Sequence, residues 1–213
     1  EPALSAGDVL SVDNAWGGDD HNSHGTKMAG VSLLGDLLPH LEGNSVIALT
    51  HRAESVKILP PGGFPANNPM SYGSITQSAL SVAEINNPER HRVCCLAVTN
   101  EDVSGARATT WSSAIDQACA GAMPGDDKQA PKRLFVISAG NAPEHIDPTL
   151  ILDAADLPIE DPAQSWNALT AGGYTDKTEI DEPGYQHWEP MAEAGDLSPY
   201  SRTSISWTQG RSP

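Results

Sequence analysis

Positive charge is scarce in this chain: 12 Lys and Arg stand against 28 Asp and Glu, for a formal net charge of −16. A surface so poor in cations repels phosphate backbones and anionic lipid, which excludes nucleic acid and membrane surfaces as expected partners. Long apolar runs are missing as well, so no segment has the roughly 20 apolar residues that a bilayer-spanning helix needs. Glu1 opens no signal peptide, and a start without Met fits an excised or processed chain, so missing targeting signals carry little weight. Cysteine is limited to Cys94, Cys95 and Cys119. An odd set of thiols in apolar-patterned segments, two of them adjacent and pointing to opposite faces of a strand, is no disulfide scaffold. With no Asn-x-Ser/Thr acceptor, the expectation is a reducing, cytoplasmic setting.

What the chain does have is alternating secondary structure. Met28, Val31, Leu34 and Leu38 recur at helical spacing from Ser23 to about Leu38, with Pro39 as the stop. Val46–Leu49 and Val56–Leu59 have the composition of short strands, the second ended by Pro60-Pro61-Gly62-Gly63. After a loop to about Gly73, a helix carries Ile75, Ala79, Val82 and Ala83 and ends near Asn87-Pro88. Val93–Val98 forms a nearly continuous apolar run, as for a strand covered on both faces. Trp111, Ala114, Ile115, Ala118, Cys119 and Ala122 mark the clearest helix, with Thr109 or Thr110 as N-cap. Leu134–Ile137 is a further strand that leads into Ser138-Ala139-Gly140-Asn141. Beyond it comes an acidic, loop-rich stretch (Asp147, Asp153, Asp156, Glu160, Asp161) and then a strand near Ala168–Gly173. The alternation predicts an α/β fold, three layers with a mostly parallel sheet flanked by helices, in a single domain over residues 1–213. Sites in such sheets form beyond the carboxyl ends of the strands, where Thr99-Asn100 and Gly140-Asn141 fall.

Two strings carry chemistry. His24-Gly25-Thr26-Lys27-Met28-Ala29-Gly30 resembles the histidine box of subtilisin-like serine peptidases, and Ser138-Ala139-Gly140-Asn141 resembles the segment bearing their oxyanion asparagine. The resemblance runs over most of residues 19–205. Val56–Leu59 is similar to the strand before the substrate-aligning loop, and Trp166–Gly172 to the strand after the asparagine. Ser198–Thr203 is similar to the segment preceding the serine box. The stretch His51–Lys57 resembles a bacterial intracellular branch. A serine peptidase needs a base, an acid that fixes the base's tautomer, and donors for the oxyanion. The resemblance implies that His24 is the base and Asn141 the side-chain donor. It also implies that Ala97, Val98, Thr99, Ser138, Ala139 and Gly140 wall the primary specificity pocket, and the small side chains of Ala97, Val98, Ser138 and Ala139 lead one to expect that pocket to be apolar. Losing such a donor costs about 2.7–4 kcal/mol of transition-state stabilisation in subtilisin.

The departures are equally specific. The family's acid precedes its histidine by about 32 residues in subtilisin, and His24 has 23 residues before it. The acid is therefore expected upstream of Glu1. Asp8, Asp13, Asp19 and Asp20 lack the Asp-(Thr/Ser)-Gly turn and a buried strand before it, and Asp19 and Asp20 fit a solvated acidic loop. Ser204, Ser206 and Ser212 lack the glycine and small apolar helix of a serine box, which places the nucleophile beyond Pro213. The expectation is an internal segment of a subtilisin-like catalytic domain, truncated at both ends and inactive alone, from a parent that hydrolyses polypeptides. The alternative is a peptide-binding pseudo-peptidase that pairs extended peptides near Ala97-Val98-Thr99 and the loop from Pro60 to Gly73. A flavodoxin-like ligand-binding domain leaves the histidine box unexplained.

No cofactor is implied. Asp19, Asp20, His21 and His24 make a poor zinc set without a distant Cys or His pair, and no loop has the oxygen spacing of a calcium site. Oligomeric state is not encoded in any motif.

Overall fold

The computed structural model describes residues 3–43, 46–105, 107–143, 157–176, 178–190 and 192–203. They fall into two compact units, Glu1–His91 and Arg92–Pro213.

In the first unit, β1 (Val9–Ser11) pairs in parallel with β2 (Ser55–Lys57), Leu10 opposite Val56. The chain between them forms α1 (His24–Leu34) and the short α2 (Leu38–Glu42). The single helix expected to end at Pro39 is thus two. Gly35, at φ 67°, ends α1, and Pro39 sits in the first turn of α2, where its missing N–H leaves no helical bond unmade. The apolar stripe on α1 is no core stripe, for no residue of α1 is buried and Val31 is half exposed. The strand expected at Val46–Leu49 is absent, and Val46 is almost fully exposed.

The other helix of this unit, α3 (Tyr72–Asn86), packs on both strands. It buries Gly73, Thr76, Leu80 and Ala83, a face about a quarter turn from the expected one that shares only Ala83 with it, while Ile75, Ala79 and Val82 are half-buried. Beyond its end, Arg90 reaches the buried Asp8 at 2.7 Å and Glu54 at 2.8 Å. Asn87 Nδ2 also donates to Asp8, at 3.3 Å. These bonds tie the exit of α3 to the residues that lead into β1 and β2.

The second unit is built on a parallel sheet in the order β3 (Val93–Leu96), β5 (Leu134–Ser138), β7 (Leu169–Ala171). Between β3 and β5 the chain forms β4 (Asn100–Ser104) and α4 (Thr110–Ala120). The expected helix is present with its cap: Thr109 Oγ1 accepts from the Ser112 amide, and the Ser112 hydroxyl accepts from the Thr109 amide. Gly121, in the left-handed region, closes it. Trp111, Ile115 and Ala118 of α4 join Phe135, Ile137 and Ile159 in the core. One side chain there breaks the apolar pattern, since Gln164 is buried with neither amide atom hydrogen-bonded.

β3 is shorter than expected and not covered on both faces, since Val93 and Cys95 are exposed on a strand at the edge of this sheet. The three cysteines are free, Cys119 buried, Cys94 half-buried and Cys95 exposed. Burial pushes the Cys119 thiol up from its ordinary value. Mostly parallel pairing with helices makes the fold α/β, and β4 with β6 (Glu160–Asp161) is the antiparallel exception.

Candidate active site

His24 is the first residue of α1, and its position is set by the four residues before it. Ser23 takes φ 67°, the left-handed region that a non-glycine residue occupies only when its neighbours impose it. Its hydroxyl does not cap the helix. Asp20 does so from further back: Oδ1 accepts from the amides of Asn22 at 3.1 Å and Ser23 at 2.9 Å. Oδ2 accepts from the amide and the hydroxyl of Thr26, each at 2.7 Å. The His24 amide donates to Asn22 Oδ1 at 3.0 Å.

Three backbone amides and one hydroxyl of α1 and its entry turn are thereby satisfied by one carboxylate, which also faces the positive end of the helix. The bonds from the Thr26 hydroxyl and amide hold the Asp20 carboxyl well below the usual carboxylate range. Lys57, at the end of β2, donates to the carbonyl of Asp19 at 2.5 Å and anchors the same turn to the strand pair. The His24 ring is exposed.

Asp20 is exposed, as a solvated acidic loop implies, and within that loop it caps the start of the helix that His24 opens. The available signal was compositional: Asp is a preferred capping residue, and the first turn of α1 contains no acid of its own. Asp13 stands two residues past β1, which has no buried residue, and caps a short 3₁₀ helix through the Ala15 amide at 2.9 Å. Asp8 is buried against Arg90.

The remaining candidates belong to the second unit. β5 delivers Ser138, Ala139, Gly140 and Asn141 past its carboxyl end, and each backbone link is pinned. The Ala139 amide donates to Ala171 O at 2.9 Å, and its carbonyl accepts from the Glu160 amide at 3.0 Å. Asn141 forms an antiparallel bridge with Ser201, and the Ala142 amide donates to Tyr200 O at 2.9 Å. The Asn141 residue itself is exposed while Ala139 and Gly140 are buried. Gly140 has φ 99°, and a Cβ there would lie 2.5 Å from Glu160 Oε2, so only glycine fits.

Ala97, Val98 and Thr99 extend β3 in the same direction and are half-buried. Against Thr99 and Gly140 lies the Glu160 carboxylate. Thr99 Oγ1 donates to Glu160 Oε2 at 2.5 Å, and Glu160 Oε1 meets Arg202 Nε at 2.7 Å. The carboxylate of Glu160 thus touches both expected walls, with its side chain 3% and that of Arg202 10% exposed. Glu160 and Asp161 were expected in an open acidic stretch, and both are buried. Burial pushes the Asp161 carboxyl up, against a 2.5 Å bond from the Thr109 hydroxyl that pulls it down. Asp147, Asp153, Asp156, Ser204, Ser206 and Ser212 lie outside the described residues.

Among the described residues no group of three or more His, Cys, Asp or Glu side chains is placed to hold a metal ion. No described helix is long and apolar enough to cross a membrane.

With this geometry in place, comparison with known proteins adds one finding. The family model described as Peptidase_S8, Subtilase family, matches residues 6–213. No curated protein and no solved structure matches the chain.

Proposed function

Because the chain belongs to the subtilase family, we infer that it forms the histidine- and asparagine-bearing part of a serine endopeptidase catalytic domain. The observation that carries this is the family match over residues 6–213, within which His24 opens a helix and Asn141 follows a buried strand. The substrate is a polypeptide. His24 takes the proton of a serine hydroxyl as that oxygen attacks the scissile carbonyl, and the carbonyl oxygen, now an oxyanion, accepts from the Asn141 side chain. Collapse of the tetrahedral intermediate breaks the C–N bond, and His24 returns its proton to the leaving amine. Water then repeats the cycle on the seryl ester.

On this reading the serine and the orienting aspartate lie outside residues 1–213. Asp20 is not that aspartate, because both its carboxylate oxygens are committed to Asn22, Ser23 and Thr26. Residues 1–213 alone then do not hydrolyse peptides through a complete triad. Three free thiols suit a reducing, cytoplasmic compartment.

A fluorophosphonate serine-hydrolase probe tests the reading when applied to this chain and to the full-length protein side by side. Stoichiometric labelling of the full-length protein alone is the expected result. Labelling of residues 1–213 would place the nucleophile inside them, and labelling of neither would leave a peptide-binding pseudo-peptidase.

A further inference from the structure

Asn141 has a partner that the general chemistry of acyl transfer does not call for. An oxyanion donor works by being fixed in advance where the charge will develop, so whatever fixes its backbone shares in the effect. On one side Asn141 is held by β5 and the bridge to Ser201. On the other, its own carbonyl accepts from Arg202 Nε at 2.8 Å. The same guanidinium donates through Nη1 to the Pro158 carbonyl at 3.2 Å and stands 2.7 Å from Glu160 Oε1. The backbone amide of Arg202 also reaches the Gly140 carbonyl, at 3.4 Å. Glu160 is fixed in turn by the Thr99 hydroxyl, which donates to its carboxylate, and by the hydrogen bond from its own N–H to the Ala139 carbonyl.

A nearly buried guanidinium with a planar fork is restricted to one orientation by such a set, and its charge-assisted bonds are the strong kind. The peptide group that carries the Asn141 side chain is thereby clamped to Gly140, Pro158 and Glu160 at once.

We propose that Arg202 is a positioning residue for catalysis: held by Glu160, it fixes the Asn141 peptide so that the side-chain amide is presented to the oxyanion. This rests on the reading of Asn141 as oxyanion donor. Arg202 touches no reacting atom, and its action is exerted wholly through Asn141.

Because removing one member of a buried ion pair strands the other charge, the test replaces both. The Glu160→Gln/Arg202→Gln pair is made in the full-length protein, with and without Asn141→Ala, and kcat and KM are measured for a peptide substrate. Thermal melts confirm that each variant folds. The expected result is a fall in kcat of about tenfold with KM within about twofold, smaller than the roughly 10²–10³-fold loss when the donor itself is removed. In the Asn141→Ala background the same pair changes kcat by less than about twofold, since residues acting as a unit are not additive. Arg202→Lys, which keeps the charge but not the fork, falls between wild type and the pair. Equal losses with and without Asn141, or no loss at all, would overturn the proposal while leaving Asn141 as donor. A full kcat in Asn141→Ala would overturn the donor reading, and the role of Arg202 with it.

Discussion

In the unit Glu1–His91 no side chain of α1 is buried, whereas in Arg92–Pro213 Ile115 of α4 and Ile137 of β5 are wholly enclosed. The candidate base stands on the thinly packed element and the candidate oxyanion donor at the end of a core strand. The cap at the start of His24's helix is local, its bonds running from Asp20 to Thr26, with the Lys57 bond to the Asp19 carbonyl adding a long-range tie. Asn141 is placed by Ser201 and Arg202, distant in sequence. A short-range cap forms with the helix it starts and asks nothing of the core, while a long-range clamp exists only when the whole unit is folded.

The largest effect that separates the two units is loss of core volume. Ile115→Ala in α4 should cost about 2–5 kcal/mol, the usual cost of emptying a fully buried aliphatic site. Val31→Ala on the half-exposed face of α1 should stay within about 0.5 kcal/mol, as for most surface changes. Urea unfolding monitored by tryptophan fluorescence measures both. Similar costs for the two would mean that α1 has a core contact, and the contrast between the units would collapse.

Asp20→Asn addresses the local cap without touching any core. The amide nitrogen that replaces one carboxylate oxygen cannot accept, and the charge facing the helix start is lost. In the full-length protein kcat should fall by about tenfold, less than the roughly 10²-fold cost of a 1 Å misplacement. Exchange of the Thr26 amide should quicken while the melting temperature hardly moves. The sign with pH follows from the depressed carboxyl: its contribution is complete above the ordinary aspartate value near 3.9 and is lost only as pH falls below it. The gap in Thr26 protection between wild type and variant should therefore be flat from pH 7 to about 4. A gap that closes above pH 5 would show that the carboxylate is not held as the geometry requires.

Short-range features were legible in the sequence, and the features missed were mostly long-range. Thr109 and the apolar spacing from Trp111 to Cys119 lie within one helix, so α4 and its cap could be read directly. The strings around His24 and Asn141 were equally visible, being contiguous. Val46–Leu49 has strand composition yet forms no strand, because a strand needs a pairing partner and composition does not supply one. Pro39 reads as a stop from sequence, yet it lies in the first turn of the next helix, a position it favours as much. Glu160 and Arg202 were invisible as a pair: each alone is an ordinary charge in an acidic, turn-rich stretch, and only the fold brings them to 2.7 Å beside Thr99 and Gly140. Asp20 was near enough to be found, but its role as cap shows only once Ser23 is seen to turn left-handed.

The smallest expected effect sharpens the same comparison through a second aspartate. Asp161 is buried beside the Thr109 hydroxyl, and burial raises its carboxyl where hydrogen bonding lowers that of Asp20. A carboxyl raised in the folded state binds its proton more tightly there than in the unfolded chain. Its stability contribution is therefore complete below the unfolded value near 3.9 and is lost as pH rises through the folded value. Asp161→Asn removes this titration and keeps an acceptor for Thr109, so the variant should gain on wild type as pH rises from about 4 towards 7. The advantage should vanish in acid. Denaturant midpoints across that range measure it, and Asp20→Asn provides the control, since a depressed carboxyl stays ionised throughout the range and its gap from wild type is flat there. If the Asp20→Asn gap widened with rising pH as that of Asp161→Asn should, one of the two carboxylates would have been assigned the wrong surroundings. Asp161 would be the one to re-examine, because its burial and its hydrogen bond oppose each other, whereas the hydrogen bonds to Asp20 outweigh a lesser desolvation.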